Sequence, residues 1–289
     1  MREGVLPEYV EVELSSVGIP ERSFLLETGS PVDQVAQQIW LGGAASYESP
    51  WPTVVASLGN GVQRAIVVGA NTGFYAMLLA NVNHVKRVDA LEPFPPAFSR
   101  LTKNLSRSHL VNQVCAHSAA AAAIPGRMTL YVPEALSSGW PLETSASLDP
   151  SFKSSHAAEH VVEVTTLDLV AALSPLPVGL LFVDAEGCDL DVLAGAESII
   201  ARNSPFVIVE VSEIDLPLLN EFLRAHDYLA FEVAKTGIWL RSPVVQAVES
   251  SSVIGSTSRA RYWSNLLAPA SALEQVRSAA ASAGLDLHT

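Results

Sequence analysis

An open α/β sheet with helices on both faces is the fold class that the sequence predicts, and three observations predict it. Short β-branched bursts alternate with longer helical patterns across residues 65–242, the signature of βαβ units and a mostly parallel sheet. The first burst, "AIVVG", runs directly into the turn "ANTG" and then into the apolar "FYAMLLA". Composition is 49% hydrophobic and 16% charged over 289 residues, which suits a folded chain with one main domain and a substantial core.

The elements follow in chain order. Residues 1–45 form an N-terminal extension or cap with strand-like "YVEVEL" and a short helical "VDQVAQQIW". The core is expected over residues 46–242 and opens on a helix with a proline-bearing start, "YESPWPTVVASLG". Its strands are read at 65–69, 87–92, 112–118, 179–185 and 206–212. Helical patterns lie between them: "TGFYAMLLAN", "PPAFSRLTKNLSRSH", "LDVLAGAESIIARN" and "DLPLLNEFLRAHD". Pro95 and Pro96, and Asp215 with Pro217 behind it, suit helix starts. Two further strands, "YLAFEVA" and "GIWLRS", flank "KTG" at 235–237, a hairpin-type turn that makes the last pair antiparallel. Residues 243–289 form a C-terminal extension: a polar loop, "ESSSVIGSTS", and a terminal helix, "ALEQVRSAAASAG". No internal repeat is present, and the alanine run at 119–123 is too short for a linker.

Charge narrows the function. Seventeen Lys and Arg against 30 Asp and Glu leave a formal charge of −13, a field that repels phosphate backbones and anionic membrane surfaces. Nucleic acid and membrane are therefore not expected as partners. The first residues carry acids and no secretory pattern, and no apolar run approaches the roughly 20 residues that span a bilayer. Cys115 and Cys188 sit in apolar segments and read as reduced thiols. A cytoplasmic protein is expected.

Gly69 and Gly73 mark a tight strand-to-helix turn, where glycine tolerates positive φ and lets a ligand touch bare backbone. Two glycines at such a turn also serve packing alone. Glu92 adds weight: it ends the next strand 23 residues after Gly69, close to the roughly 20-residue spacing at which an acid reaches the ribose hydroxyls of a nucleoside. A glutamate ending a buried strand is costly without a partner. Gly-x-x-x-Gly lacks the middle glycine that brings backbone against a dinucleotide pyrophosphate, which points away from NAD.

The stretches "VVGANTGFYAMLLA", "VDALEPFPPAFSRLTKNL", "VTTLDLV", "LLFVDAEGCDLDVLAGA" and "FVIVEVSE" resemble, in order and spacing, the FkbM family of S-adenosylmethionine-dependent methyltransferases. The resemblance covers residues 46 to about 240. It implies a class I methyltransferase (Rossmann-like) fold with a seven-stranded sheet, and methylation of a hydroxyl on a sugar, polyketide or other small metabolite. It also implies that Gly69, Asn71 and Gly73, with Val68 and Ala70 between and before them, line the methionine moiety of the cofactor. Glu92 would hold the ribose hydroxyls and Ser118 the adenine edge. Two positions depart from the family pattern: Val67 stands where an acid is usual, and Phe182 where a lysine precedes Asp184.

Methyl transfer to a hydroxyl needs in-line alignment and a group that takes the acceptor's proton. Asp184, Glu186 and Asp189 cluster at the end of the fourth core strand, the functional end of such a sheet. Acids there also complement a helix dipole, which explains Glu186 and Asp189 as well as catalysis does. Asp184 is expected to border both cofactor and acceptor, with Glu186 beside it and Glu210 as a second-rank candidate. His156, in the polar stretch "SFKSSHAAEH", is named as a base on a loop that folds over the pocket; His160 shares that loop. His117 reads as polar support. Trp140 is a candidate substrate wall. No tight metal-ligand motif is present, so no metal is expected. A nicotinamide-dependent oxidoreductase and a non-catalytic binder of S-adenosylmethionine are the competing readings. The terminal segments are free to cap the pocket or to pair two subunits as a homodimer.

Overall fold

Alternating apolar and charged residues make Tyr9–Glu13 (β1) a strand with one buried face, and it pairs antiparallel with Ser23–Glu27 (β2). The structure, a computed structural model, describes residues 6–29, 33–133, 145–152, 156–241 and 262–289. Gln34–Gly42 (α1) is capped by the Asp33 carboxylate, which accepts the Ala36 N–H at 2.7 Å, and Trp51–Gly59 (α2) carries Pro52 in its first turn. Arg64–Val68 (β3) then begins the main sheet, followed by Phe74–Ala80 (α3), Arg87–Leu91 (β4), Pro95–Arg107 (α4) and Val114–His117 (β5).

A second, three-stranded sheet interrupts the alternation. Ala120–Ala121 (β6), Gly126–Pro133 (β7) and His156–Thr165 (β8) form it in the order β6-β8-β7. The winding resumes with Leu167–Ala171 (α5), Val178–Val183 (β9), Asp189–Ala194 (α6), Glu197–Asn203 (α7), Phe206–Ser212 (β10), Leu216–His226 (α8), Tyr228–Ala234 (β11) and Gly237–Leu240 (β12). Tyr262–Pro269 (β13), Leu273–Ser282 (α9) and Leu287–His288 (β14) close the chain.

Among the described residues the main sheet has nine strands, in the order β14-β12-β11-β13-β10-β9-β3-β4-β5. This is two more than the seven expected. The β11–β12 pair is antiparallel as expected. β13, which the sequence reading left inside the C-terminal extension, lies between β10 and β11 and is antiparallel to both. β3 is parallel to β4 on one side and to β9 on the other. The chain leaves β3 in one direction, returns, and leaves in the other, so the switch point of the sheet lies at its carboxyl end.

Both faces of β3 are covered, which explains its unbroken apolar run. Ala65 and Val67 pack with α2 and α3, whereas Ile66 and Val68 pack with α5, α6 and α7. At the opposite end of the sheet from the switch point, the fully buried Arg64 binds Asp89 at 2.8 Å and donates to the carbonyls of Val170, Ala171 and Ser174. Four acceptors around one guanidinium offset its desolvation and satisfy carbonyls at the end of α5. No helix among the described residues is long and apolar enough to cross a membrane.

Candidate active site

The turn after β3 is forced by its neighbours. Gly69 has φ +69°, and a Cβ there would lie 1.9 Å from the Asp184 carbonyl oxygen, so no side chain fits. Gly73, at φ +101°, begins α3, and a Cβ would meet Leu101 at 2.6 Å. Asn71 between them is also left-handed, at φ +49°, a conformation that asparagine tolerates better than most residues. The turn is tied to both neighbouring strands: Ala70 N–H donates to Leu91 O at 2.9 Å, and Asp184 N–H donates to Val68 O at 3.2 Å.

Glu92 completes this arrangement from the tip of β4. Its Oε2 accepts the Asn71 N–H at 2.7 Å and its Oε1 accepts the Phe94 N–H at 2.8 Å. The side chain is buried, and withdrawal from water pushes its pKa up to about 7 even though both backbone bonds act to lower it. Each carboxylate oxygen keeps a lone pair beyond its backbone bond, a ready acceptor for a ligand hydroxyl.

Beside Gly69 and Glu92 opens a crevice. Of the residues expected from the sequence to bind cofactor or act in catalysis, Val68, Gly69, Asn71, Glu92, Asp184 and Glu186 line it. Ala70 and Gly73 shape the turn without lining it. The opposite wall is apolar, from Ala120, Ala121, Leu130 and Leu148 of the second sheet and the segment before β8. Sequence reasoning missed this wall, because a two-residue strand inside an alanine run and the pairing of β7 with the distant β8 carry little local pattern.

Two expected residues lie elsewhere. Ser118 follows β5 as an exposed residue and does not line the crevice; the chain turns there, and Ala120 and Ala121 face the cavity instead. His156 is the first residue of β8, opposite Pro133 of β7, with its ring 4.9 Å from that of Tyr131, and does not line the crevice either. The loop expected around it is strand from His156 onward because "HAAEHVVEVT" pairs with β7 along its length. His160 likewise lies within β8, edge-on to Phe94. Trp140 falls outside the described residues.

At the strand tips the acids divide. Asp189 is buried, its carboxylate accepting the Ala185 N–H at 3.2 Å and the Glu210 N–H at 3.0 Å. It clamps the tips of β9 and β10 together, and burial pushes its pKa up to about 8. Asp184, half-buried at the cavity wall, is held well above the usual carboxylate range by withdrawal from water, then by the charges of Glu186, Glu48, Glu210 and Asp189. Glu48 is a residue that the sequence reading missed: its Oε2 accepts the Tyr75 hydroxyl at 2.8 Å. His117 Nε2 lies 3.0 Å from Asp89, the polar support expected of it. Asp89, Cys115 and His117 group closely enough to hold a metal ion, but Asp89 already binds two arginines, Arg64 and Arg87.

The family model for the methyltransferase FkbM domain matches residues 68–230. The chain belongs to the FkbM methyltransferase family. It is 28% identical over 184 residues to the 31-O-demethyl-FK506 methyltransferase FkbM of Streptomyces tacrolimicus, covering 56% of this chain and 70% of that protein. Among solved structures it is similar to the methyltransferase FkbM from Methylobacillus flagellatus, at 17% identity and a TM-score of 0.40. That match spans 58% of this chain but only 39% of the other. M. capricolum TrmK in complex with S-adenosylhomocysteine is similar at 13% identity and a TM-score of 0.39, over 77% of this chain and 69% of that one. The family match and the sheet itself, parallel from β10 through β9, β3 and β4 to β5 with the antiparallel β13 inserted between β10 and β11, make the fold that of a class I methyltransferase. Within this FkbM-family chain the two departures from the usual pattern are core residues. Val67 is buried, and Phe182 stacks on Tyr75 with ring centroids 4.1 Å apart, so neither position offers a charge to the crevice.

Proposed function

We propose that this methyltransferase uses S-adenosylmethionine and methylates a hydroxyl of a small metabolite, sugar or polyketide-like acceptor. The observation that carries the reading is Glu92, a buried carboxylate that faces the crevice beside a turn where bare backbone alone fits. A group with vicinal hydroxyls suits the free lone pairs of Glu92, and the space that a Cβ on Gly69 would fill is left for the turn to close on Asp184. In this reading Gly69 and Asn71 lie against the amino-acid end of the cofactor, and the alanines and leucines opposite form a dry wall for its base. That the S. tacrolimicus relative is a 31-O-demethyl-FK506 methyltransferase supports a hydroxyl acceptor.

The cofactor, when bound, supplies an electrophilic methyl group on a sulfonium. The chain's own part is to align the acceptor, exclude water and take a proton. The position of Asp184 on the wall of the crevice beside Gly69 supports it for the last task. Its neighbouring carboxylates raise its proton affinity, which improves it as a base near neutral pH. Glu186, on the same wall, is the second candidate, and His156 is not placed to act from its position in β8.

Methyl-labelled S-adenosylmethionine offered with a panel of hydroxylated metabolites tests the reaction, alongside titrations with S-adenosylmethionine and NAD. Labelled ether product from one acceptor, with no heat from NAD, is the expected result. Tight NAD binding and none of the sulfonium would overturn the reading.

A further inference from the structure

The N-terminal hairpin lies outside residues 68–230, yet it is held to α4 and to Ser108, the residue that follows it, at several points. Leu25 N–H donates to Ser108 Oγ at 2.9 Å, Glu27 N–H donates to Asn104 Oδ1 at 2.8 Å, and the Arg107 guanidinium sits 4.5 Å over the Tyr9 ring. Asn104 is fully buried, and its other end faces the opposite way: Nδ2 donates to the Thr72 carbonyl at 2.9 Å. Thr72 lies between the two left-handed residues Asn71 and Gly73, in the middle of the turn that borders the crevice. Its own hydroxyl is buried without a hydrogen-bond partner among the described residues, so its side chain does not hold the turn. The carbonyl does, through one amide whose oxygen meets an N–H and whose nitrogen meets a C=O. Rotating that amide by half a turn would break both bonds, so its orientation is set.

We propose that Asn104 is a positioning residue for the cofactor site: it couples the N-terminal hairpin to the glycine turn and keeps the Asn71 N–H on Glu92. The geometry of that turn matters because a binding constellation works only when its groups are held within about 0.5 Å of the productive arrangement. The affinity consequence rests on the cofactor reading above; the effect on the turn itself does not.

Asn104→Asp keeps the acceptor for Glu27 and sets an oxygen against the Thr72 carbonyl, and Asn104→Ser removes both reaches. Ser108→Ala loosens the hairpin without touching the turn. Hydrogen–deuterium exchange at residues 69–75 and titration with S-adenosylhomocysteine are read on all three beside the wild type. Faster exchange at the turn, with β9 unchanged, and an affinity loss of about tenfold or more are expected for both Asn104 variants. Ser108→Ala leaves both Asn104 bonds in place and is expected to bind as the wild type does; an equal loss there would overturn the assignment of the coupling to Asn104. Wild-type exchange and affinity in a folded Asn104 variant would overturn the proposal, and so would failure of both variants to fold, which would make Asn104 a general structural pin. A wild type that does not bind S-adenosylhomocysteine sinks the cofactor reading instead, and the exchange measurement still decides this one.

Discussion

Glu92 carries two duties with one carboxylate. It accepts two backbone N–H bonds that fix the turn, and it faces a crevice with its remaining lone pairs. Its pKa of about 7 makes the second duty pH-dependent. The charged form is the better acceptor for ligand hydroxyls, so affinity for S-adenosylhomocysteine should rise as pH climbs through 7 and level off above it. Glu92→Gln should bind more weakly and flatten that profile, which calorimetry at several pH values will read. A Glu92→Gln protein with the wild-type pH profile would remove the carboxylate from the account. Gly69 gives a sharper steric case. Gly69→Ala puts a methyl into the Asp184 carbonyl at a positive φ, so loss of soluble protein, or a melting temperature lowered by many degrees, is expected. Both residues were legible in the sequence, because strand ends and glycine turns are local features. Ser118 and His156 were not, because the path of the chain after β5 and the pairing of β8 decide where they point.

Individual elements show where local pattern stops sufficing. The helical stretch at 190–203 was read as one piece but forms α6 and α7, separated at Gly195 and Ala196. β13 went unread because "YWSNLLAP" follows a long polar segment and takes its place in the sheet through non-local pairing with β10 and β11. Side chains at the strand ends hold the elements in register. Asp189 bridges β9 and β10 through two backbone N–H groups, and its removal leaves both part-buried donors without this acceptor. Asp189→Ala should therefore cost about 2–3 kcal/mol in denaturant unfolding, against which relief of a costly buried carboxyl acts in part. A change within error of zero would show that the strand tips are held by packing alone. Acids at a helix start read equally well as dipole partners or as catalysts in the sequence, and the structure separates them: Asp189 is a clamp, while Asp184 and Glu186 border the crevice.

Across the whole molecule, the buried acids set how stability depends on pH. Glu92 and Asp189 have folded pKa values of about 7 and about 8, above their unfolded values. The native state thus holds protons that the unfolded state releases, and stability falls as pH rises from about 4.5 to 8. Asp89 runs the other way: against burial, which acts to raise it, hydrogen bonds from His117, Arg87 and Arg64 and the Arg64 charge hold it far below its usual range, so its contribution is present above about pH 4 and is lost only in acid. The melting temperature should be higher at pH 6 than at pH 8, with the difference reduced in Glu92→Gln. Scanning calorimetry at the two pH values checks this, and a melting temperature that rises towards pH 8 would contradict it. The mostly parallel sheet and the nearness of the glycine turn to Glu92 followed from periodicity and spacing. The apolar wall and the N-terminal coupling through Asn104 depend on contacts between distant segments, which no local window of sequence contains.

The central claim is that a nucleoside is held between the glycine turn and Glu92, and calorimetric titration of S-adenosylhomocysteine into the wild type and Glu92→Ala at pH 8 tests it most directly. One equivalent should bind the wild type, and Glu92→Ala should bind at least about tenfold more weakly. No heat with the wild type, or equal affinity for both proteins, would contradict it.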